Sequence, residues 1–268
     1  MEPVTRLARF RDDGRVFHAL LLGDGRAKEI RGDPFAGGPF TDAARNAPGE
    51  GRPLGSWEWL APALPSKIVG VGRNYRDHAA ELGHAAPEEP LLFLKPPSSL
   101  LPPGGTILLP EDSRRVDFEG ELGVIIGREA RHVPEARALE YVLGYTCVND
   151  VTARDLQKTD VQFSRAKGFD SFCPCGPCIA IGLPPDDLVV ETFVNGVRRQ
   201  SSAVARMIFG VARLVSFVSR VMTLRPGDLI ATGTPEGVGA LEPGDEVTVS
   251  IEGIGRLTNR VAADRSAP

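Results

Sequence analysis

Most of this chain is written in short apolar runs punctuated by turn residues, and only a few stretches carry the 3.6-residue period of a helix. Val4–Phe10 and Val16–Leu22 flank Arg11-Asp12-Asp13-Gly14, a hairpin signal, and Gly23-Asp24-Gly25 supplies the next turn. Further strands are predicted at Lys67–Gly72, Leu91–Leu94, Ile107–Leu109, Val116–Gly127, Tyr145–Val148, Leu188–Val194, Leu229–Thr232, Glu246–Ile251 and Arg256–Val261. Asn195-Gly196 is the clearest two-residue hairpin turn. Helices are predicted at Tyr75–Leu82, Pro134–Leu143, Val151–Lys158 and Ala203–Val221. The last has the strongest pattern, with Val204, Met207, Ile208, Val211, Val215 and Val218 in one stripe and Ser202 placed to cap it. Residues 31–56 are rich in Gly, Pro and Ala without a period, which suits a loop with room for one short helix. Strands outnumber helices and βα alternation is absent, so the pattern predicts an α+β chain that is mostly β, with a few helices on its edge.

Two units are expected. Residues 1–65 form a small N-terminal domain, packed through Trp57, Trp59 and Leu60 against the rest of the chain, with Pro62 and Pro65 marking a linker. Residues 66–268 form the main domain. The 268 residues are 42% hydrophobic and 25% charged, ordinary for a globular protein able to bury a full core. A net charge of −4 with interspersed signs leaves no electrostatic footprint for nucleic acid. No apolar run reaches the roughly 20 residues that span a membrane. The start, MEPVTRLARF, lacks the basic-then-apolar pattern of a signal peptide, and a cytoplasmic location is inferred.

Four cysteines occur, Cys147 and then Cys173, Cys175 and Cys178 in C-P-C-G-P-C. A structural zinc site needs four ligands, usually as two separated pairs, and here neither a second pair nor a downstream His pair is present. Burial or tight-turn packing is the favoured interpretation over metal or redox chemistry.

The chemistry-bearing positions begin in VDFEGELGVIIG, Val116–Gly127. On a strand Glu119 and Glu121 point to the same side, where two like charges repel unless a cation lies between them or one is protonated. From the strand alone, outward positions on a solvent-facing edge fit as well. Asp150 ends the next apolar run. It suits an N-cap, and it also completes a set of three oxygen ligands without His or Cys, which fits a hard cation, Mg2+ or Mn2+, and makes a poor zinc site. Arg154 and Gln157 share a helix face, and with Lys167 they are candidates for holding a substrate carboxylate. His78 and Glu81 also lie three apart. Such a pair builds a general base, or forms an exposed ion pair. The short helix that bears them lies between Gly-containing segments, as a mobile lid would.

The runs KIVGVGRNYRDHAAE, DFEGELGVIIG, GYTCVNDVTARDLQ, KGFDSFCPCGP, VNGVRRQ and LRPGDLIATGTPEGVG closely resemble the fumarylacetoacetate hydrolase superfamily, over about residues 66–262 and in the family's order. The resemblance implies a mixed β-sandwich roll with a small N-terminal α/β domain, commonly as a homodimer. It places the metal triad on Glu119, Glu121 and Asp150 and the active-site lysine on Lys167. It places His78 and Glu81 on a lid as catalytic groups, and substrate contacts on Arg73, Tyr75, Arg154, Gln157 and Thr234. It puts the cysteine run in a turn. At Ser202-Ala203-Val204-Ala205 the family usually has an acid, a departure that touches only helix capping. The implied substrate is a small 2-oxo or 2,4-dioxo acid. The implied reaction is C–C hydrolysis of an acylpyruvate-type compound or decarboxylation of oxaloacetate. Isomerisation or tautomerisation of 2-hydroxymuconate-type dicarboxylates is the alternative, and a non-catalytic binding scaffold a minor one. All the enzymatic routes share an enolate, so the metal ligands do not choose among them.

Overall fold

Three sheets build the chain in the computed structural model, which describes residues 4–35, 50–55, 57–81, 83 and 85–264. The largest has twelve strands. Its path runs from the N-terminal strands through Thr5–Asp12 to Cys173–Ile181, Val142–Asn149, Gly120–Ile126, Leu229–Ala231, Ile68–Gly72 and the edge strand Leu91–Lys95. Val197–Ala203, Val189–Val194, Glu246–Ile251, Gly255–Ala263 and Thr106–Leu109 form a five-stranded sheet. Thr152–Ala153, Val116–Phe118 and Gly239–Ala240 form a third, small one. The fold is mostly β, as the pattern predicts.

Alternation along Gly120–Ile126 explains how the layers pack. Leu122, Val124 and Ile126 enter the main core with Val190, Val249 and Ile251 of the five-stranded sheet. Ile125, between them in sequence, enters a second core with Ile68, Val148 and Leu229. This strand is therefore apolar on both faces, and all seven of its residues are buried.

The N-terminal strand Thr5–Asp12 pairs antiparallel with Cys173–Ile181, in register Thr5↔Ile181 to Leu7↔Ile179. The N-terminal strands thus extend the large sheet. The short helix considered within 31–56 falls largely outside the described residues.

Several expected elements take another form. The apolar stripe from Val204 onward is not one helix. Residues Val197–Ala203 pair with Val189–Val194 across the Asn195-Gly196 turn, Val204–Arg206 is a 3-10 turn, and the α-helix is Val211–Val221, begun at Gly210. Ser202 therefore lies in a strand and caps nothing. Cross-strand pairing of 189–203 outweighs helical propensity there, and the stripe is divided between the 3-10 turn, the residues that follow it and the α-helix. Pro134–Leu143 becomes a 3-10 helix at Glu135–Tyr141 followed by a strand. The helix after Asp150 is Arg154–Thr159, preceded by the strand Thr152–Ala153, so Asp150 is not its N-cap.

The cysteine run is not a turn. Cys173–Ile181 is a central strand, with a register shift opposite Tyr145 and Cys147 that accommodates its prolines. All four thiols are free and buried. Burial pushes Cys173 and Cys178 up to about 12. No described helix is long and apolar enough to cross a membrane.

Candidate functional site

Val116–Gly127 is two strands. Val116–Phe118 belongs to the small sheet and Gly120–Ile126 to the large one, with Glu119 at the switch. The antiparallel register pairs Gly120 with Asn149 and Glu121 with Val148, which brings Asp150 beside Glu119. The Asp150 amide donates to the Glu119 carbonyl at 2.8 Å, and the Glu119 amide donates to Oδ1 of Asn149 at 2.9 Å. One carboxylate oxygen from each of Glu119, Glu121 and Asp150 lies within 4.8 Å of the others, and all three residues are buried.

Two ammonium groups and a guanidinium pair with two members of this set, Glu119 and Asp150. Lys167 Nζ bridges Glu119 Oε2 at 2.7 Å and Asp150 Oδ2 at 2.6 Å. Lys95 Nζ takes the other oxygen of Asp150, Oδ1, at 2.6 Å, and also donates to the Val151 carbonyl. Arg154 donates to Glu119 Oε1 at 2.5 Å, to Asp117 Oδ2 at 2.9 Å and to Gln157 Oε1 at 2.7 Å.

Electrostatics divides the glutamates. Burial raises the Glu119 carboxyl, but Lys167 and Arg154 outweigh it and hold the group below the usual carboxylate range. Glu121 has no ion-pair partner among the described residues. Burial, then the charges of Asp150 and Glu119, push it well above that range. Its described hydrogen bond is from the Gly233 amide at 2.8 Å, at a turn whose φ of +102° only glycine adopts readily. Burial lowers Lys167, but Asp150 and Glu119 raise it further, so the ammonium stays charged.

A hard divalent cation fits this donor set. The three oxygens converge, neither imidazole nor thiolate is among them, and Glu121 lacks the positive charge that a cation would bring.

The triad lies on the wall of a cavity of about 310 Å3. Of the residues expected at the site, Arg73, His78, Arg154, Gln157, Lys167 and Thr234 also line it. Arg73 is held at φ +57°, an uncommon conformation for a non-glycine residue. His78 is buried, and its Nδ1 lies 3.4 Å from Glu81 Oε2. Glu81 is off the cavity wall, and its carboxylate accepts from the Gly237 amide at 3.2 Å. The helix bearing the pair is Arg76–Glu81; Leu82 lies outside the described residues.

Two expectations change. Tyr75 is not on the cavity wall: its ring is packed in the main core and its buried hydroxyl has no hydrogen-bond partner among the described residues. Arg154 is buried and committed to protein acceptors, so it orients Glu119 in addition to facing the cavity. Sequence reasoning missed Lys95, whose only signal is a charged residue ending an apolar strand. It also missed Phe93 and Phe163, which line the cavity edge-to-face at 5.9 Å, with Lys167 Nζ 4.9 Å from the Phe93 ring centre.

Residues 67–262 match the fumarylacetoacetate (FAA) hydrolase C-terminal family model. The chain belongs to the fumarylacetoacetate hydrolase family. Residues 5–62 match a second model, Rv2993c-like, N-terminal. The 2-hydroxyhepta-2,4-diene-1,7-dioate isomerase of Mycobacterium marinum superposes with a TM-score of 0.86 at 43% identity, covering 98% of this chain and 100% of that one. The oxaloacetate tautomerase YisK of Bacillus subtilis is 43% identical over 211 residues, 74% of this chain and 70% of the relative. Fumarylpyruvate hydrolase of Pseudomonas aeruginosa, solved with Mn2+ and pyruvate, superposes with a TM-score of 0.70 at 35% identity, covering 79% of this chain and 94% of that one. Members of the family thus include hydrolases, isomerases and tautomerases.

Proposed function

We propose that this protein is a divalent-metal-dependent enzyme that hydrolyses a C–C bond of an acylpyruvate-type 2,4-dioxo acid. One observation carries the reading: three buried carboxylates converge on a cavity whose wall also holds Lys167 and the His78 imidazole. Mg2+ or Mn2+ bound by Glu119, Glu121 and Asp150 would supply Lewis acidity at the substrate's 2-oxo group and so favour the enolate. The complex of the Pseudomonas aeruginosa relative with Mn2+ and pyruvate supports both the ion class and the 2-oxo acid head.

The chain's own groups supply the rest. Lys167, charged and buried, stabilises negative charge that develops beside Glu119 and Asp150. His78 removes a proton from the water that attacks the C4 carbonyl, and Glu81 orients the imidazole through Nδ1. Gln157, with Oε1 tied to Arg154, and Arg73 position the remote part of the substrate. Leu91, Phe93 and Phe163 add an apolar wall to the cavity.

A second reading, tautomerase or isomerase, is favoured by the 43% identity to the oxaloacetate tautomerase and by the likeness to the 2-hydroxyhepta-2,4-diene-1,7-dioate isomerase. Tautomerisation moves a proton along the same enolate, and decarboxylation of oxaloacetate releases CO2 to form one; neither needs the water attack. His78→Ala separates them. Under the hydrolase reading this variant loses acylpyruvate cleavage by about two orders of magnitude or more and still exchanges the C3 protons, monitored by NMR in D2O. Unchanged cleavage removes His78 from the mechanism. Wild-type enolisation without cleavage leaves the tautomerase reading.

A further inference from the structure

The motif VNGVRRQ ends in Gln200, and no step of the proposed reaction uses it. The residue is almost fully buried in the five-stranded sheet, opposite Thr192. Its Oε1 accepts from the Gly120 amide at 3.0 Å. Its Nε2 donates to Thr234 Oγ1 at 2.8 Å and to the Pro235 carbonyl at 2.8 Å. The amide's orientation is fixed by these neighbours, because an N–H faces one end and a carbonyl the other. Thr234 Oγ1 in turn donates to the Gly120 carbonyl at 2.9 Å. Three of these four contacts, Gly120 to Gln200, Gln200 to Thr234 and Thr234 back to Gly120, close a ring on Gly120, the residue between Glu119 and Glu121.

The strand that carries Gln200 also holds the turn at residues 233–237. A Cβ on Gly237 would meet the Arg199 carbonyl at 2.3 Å, so this turn lies directly against the strand. The turn offers its Gly233 amide to Glu121 and its Gly237 amide to Glu81. A buried side chain with every polar atom satisfied locks its partners in one geometry.

We propose that Gln200 is a positioning residue for the cation site: it fixes the peptide between the two glutamates, and through Thr234 and Pro235 the turn that holds Glu121. The proposal rests on the functional reading for the nature of the ion. It is tested with Mn2+ alone, without substrate, so that a Mn2+-binding protein that turns over nothing fails only the functional reading.

Gln200→Met keeps the side-chain length and removes all three hydrogen bonds. The expected result is a folded protein whose Mn2+ dissociation constant, read by EPR or calorimetry, rises about tenfold or more, in the range of lost outer-shell partners. Thr234→Val opens the ring from the other side and weakens Mn2+ binding comparably, while Thr234→Ser retains it. The double variant Gln200→Met/Thr234→Val loses no more than the worse single one, because the ring is one unit. Mn2+ affinity within about twofold of wild type in Gln200→Met, with only a lower Tm, would overturn the proposal, as would losses that multiply in the double variant. Should Gln200→Met fail to fold, the Thr234 pair decides: equal Mn2+ affinity for Val and Ser overturns it. A wild-type protein that binds no Mn2+ overturns both this proposal and the functional reading.

Discussion

Lys95 Nζ lies 2.6 Å from Oδ1 of Asp150, and both side chains are almost completely shielded from water. Lys167 occupies the opposite oxygen, so Asp150 is held at both ends by ammonium groups. Removing one partner of a buried ion pair leaves the other charge without compensation. Lys95→Met is therefore expected to destabilise the metal-free protein by about 3–5 kcal/mol in urea unfolding. A cost below about 1 kcal/mol would mean that Lys167 alone neutralises Asp150.

Gly120 has no room for a side chain. A Cβ there would lie 1.9 Å from Thr192 Oγ1 and 3.2 Å from Gln200 Oε1. Gly120→Ala is expected to cost about 1–3 kcal/mol through overpacking and to weaken Mn2+ binding, since it displaces the peptide between Glu119 and Glu121. Thr192 Oγ1 has no hydrogen-bond partner among the described residues, so trimming it costs little polar pairing. Gly120→Ala/Thr192→Ala should regain part of both losses. Equal stability of the single and double variants, by thermal unfolding, would contradict this.

The acidic site is more legible in the sequence than the helices are. Glu119 and Glu121 stand out because two carboxylates at period two in an apolar run repel unless a cation or a proton relieves them, and Asp150 because it ends the next apolar run. The family resemblance supplies the order of the motifs. The long-range contacts that hold the site are harder to find. Lys95 and Asp150 are 55 positions apart, and Gln200 reaches Gly120 across 80, so each contact exists only once the sheets assemble. The stripe Val204–Val218 imitates a single helix because a 3-10 turn, the Met207 that follows it and a helix all bury apolar residues toward one core. Tyr75 is assigned to substrate by resemblance alone, and its burial in the core is a matter of packing that spacing does not reveal.

His18 gives the protein a pH dependence away from the site. Burial and the nearby Arg9 charge lower it from 6.5 to about 4, and its Nε2 has no hydrogen-bond partner among the described residues. The unfolded chain thus binds the proton more readily than the folded one. Stability from this group is full above about pH 6.5 and is lost as pH falls toward 4. Wild type should lose about 1–2 kcal/mol more than His18→Phe between about pH 7 and pH 5, measured by urea unfolding at each pH. Parallel losses in the two proteins would exclude His18 as the source.

In the proposed function, Glu119, Glu121 and Asp150 hold a divalent cation on which turnover of a 2-oxo acid depends. The most direct test is turnover of a panel of acylpyruvates, fumarylpyruvate and oxaloacetate by the wild-type protein and Glu119→Gln, with Mg2+ or Mn2+ and again with excess chelator. The expected result is turnover of at least one compound by the metal-supplied wild type, lost on chelation, and loss of both metal binding and turnover in Glu119→Gln. Activity that persists in excess chelator would contradict it.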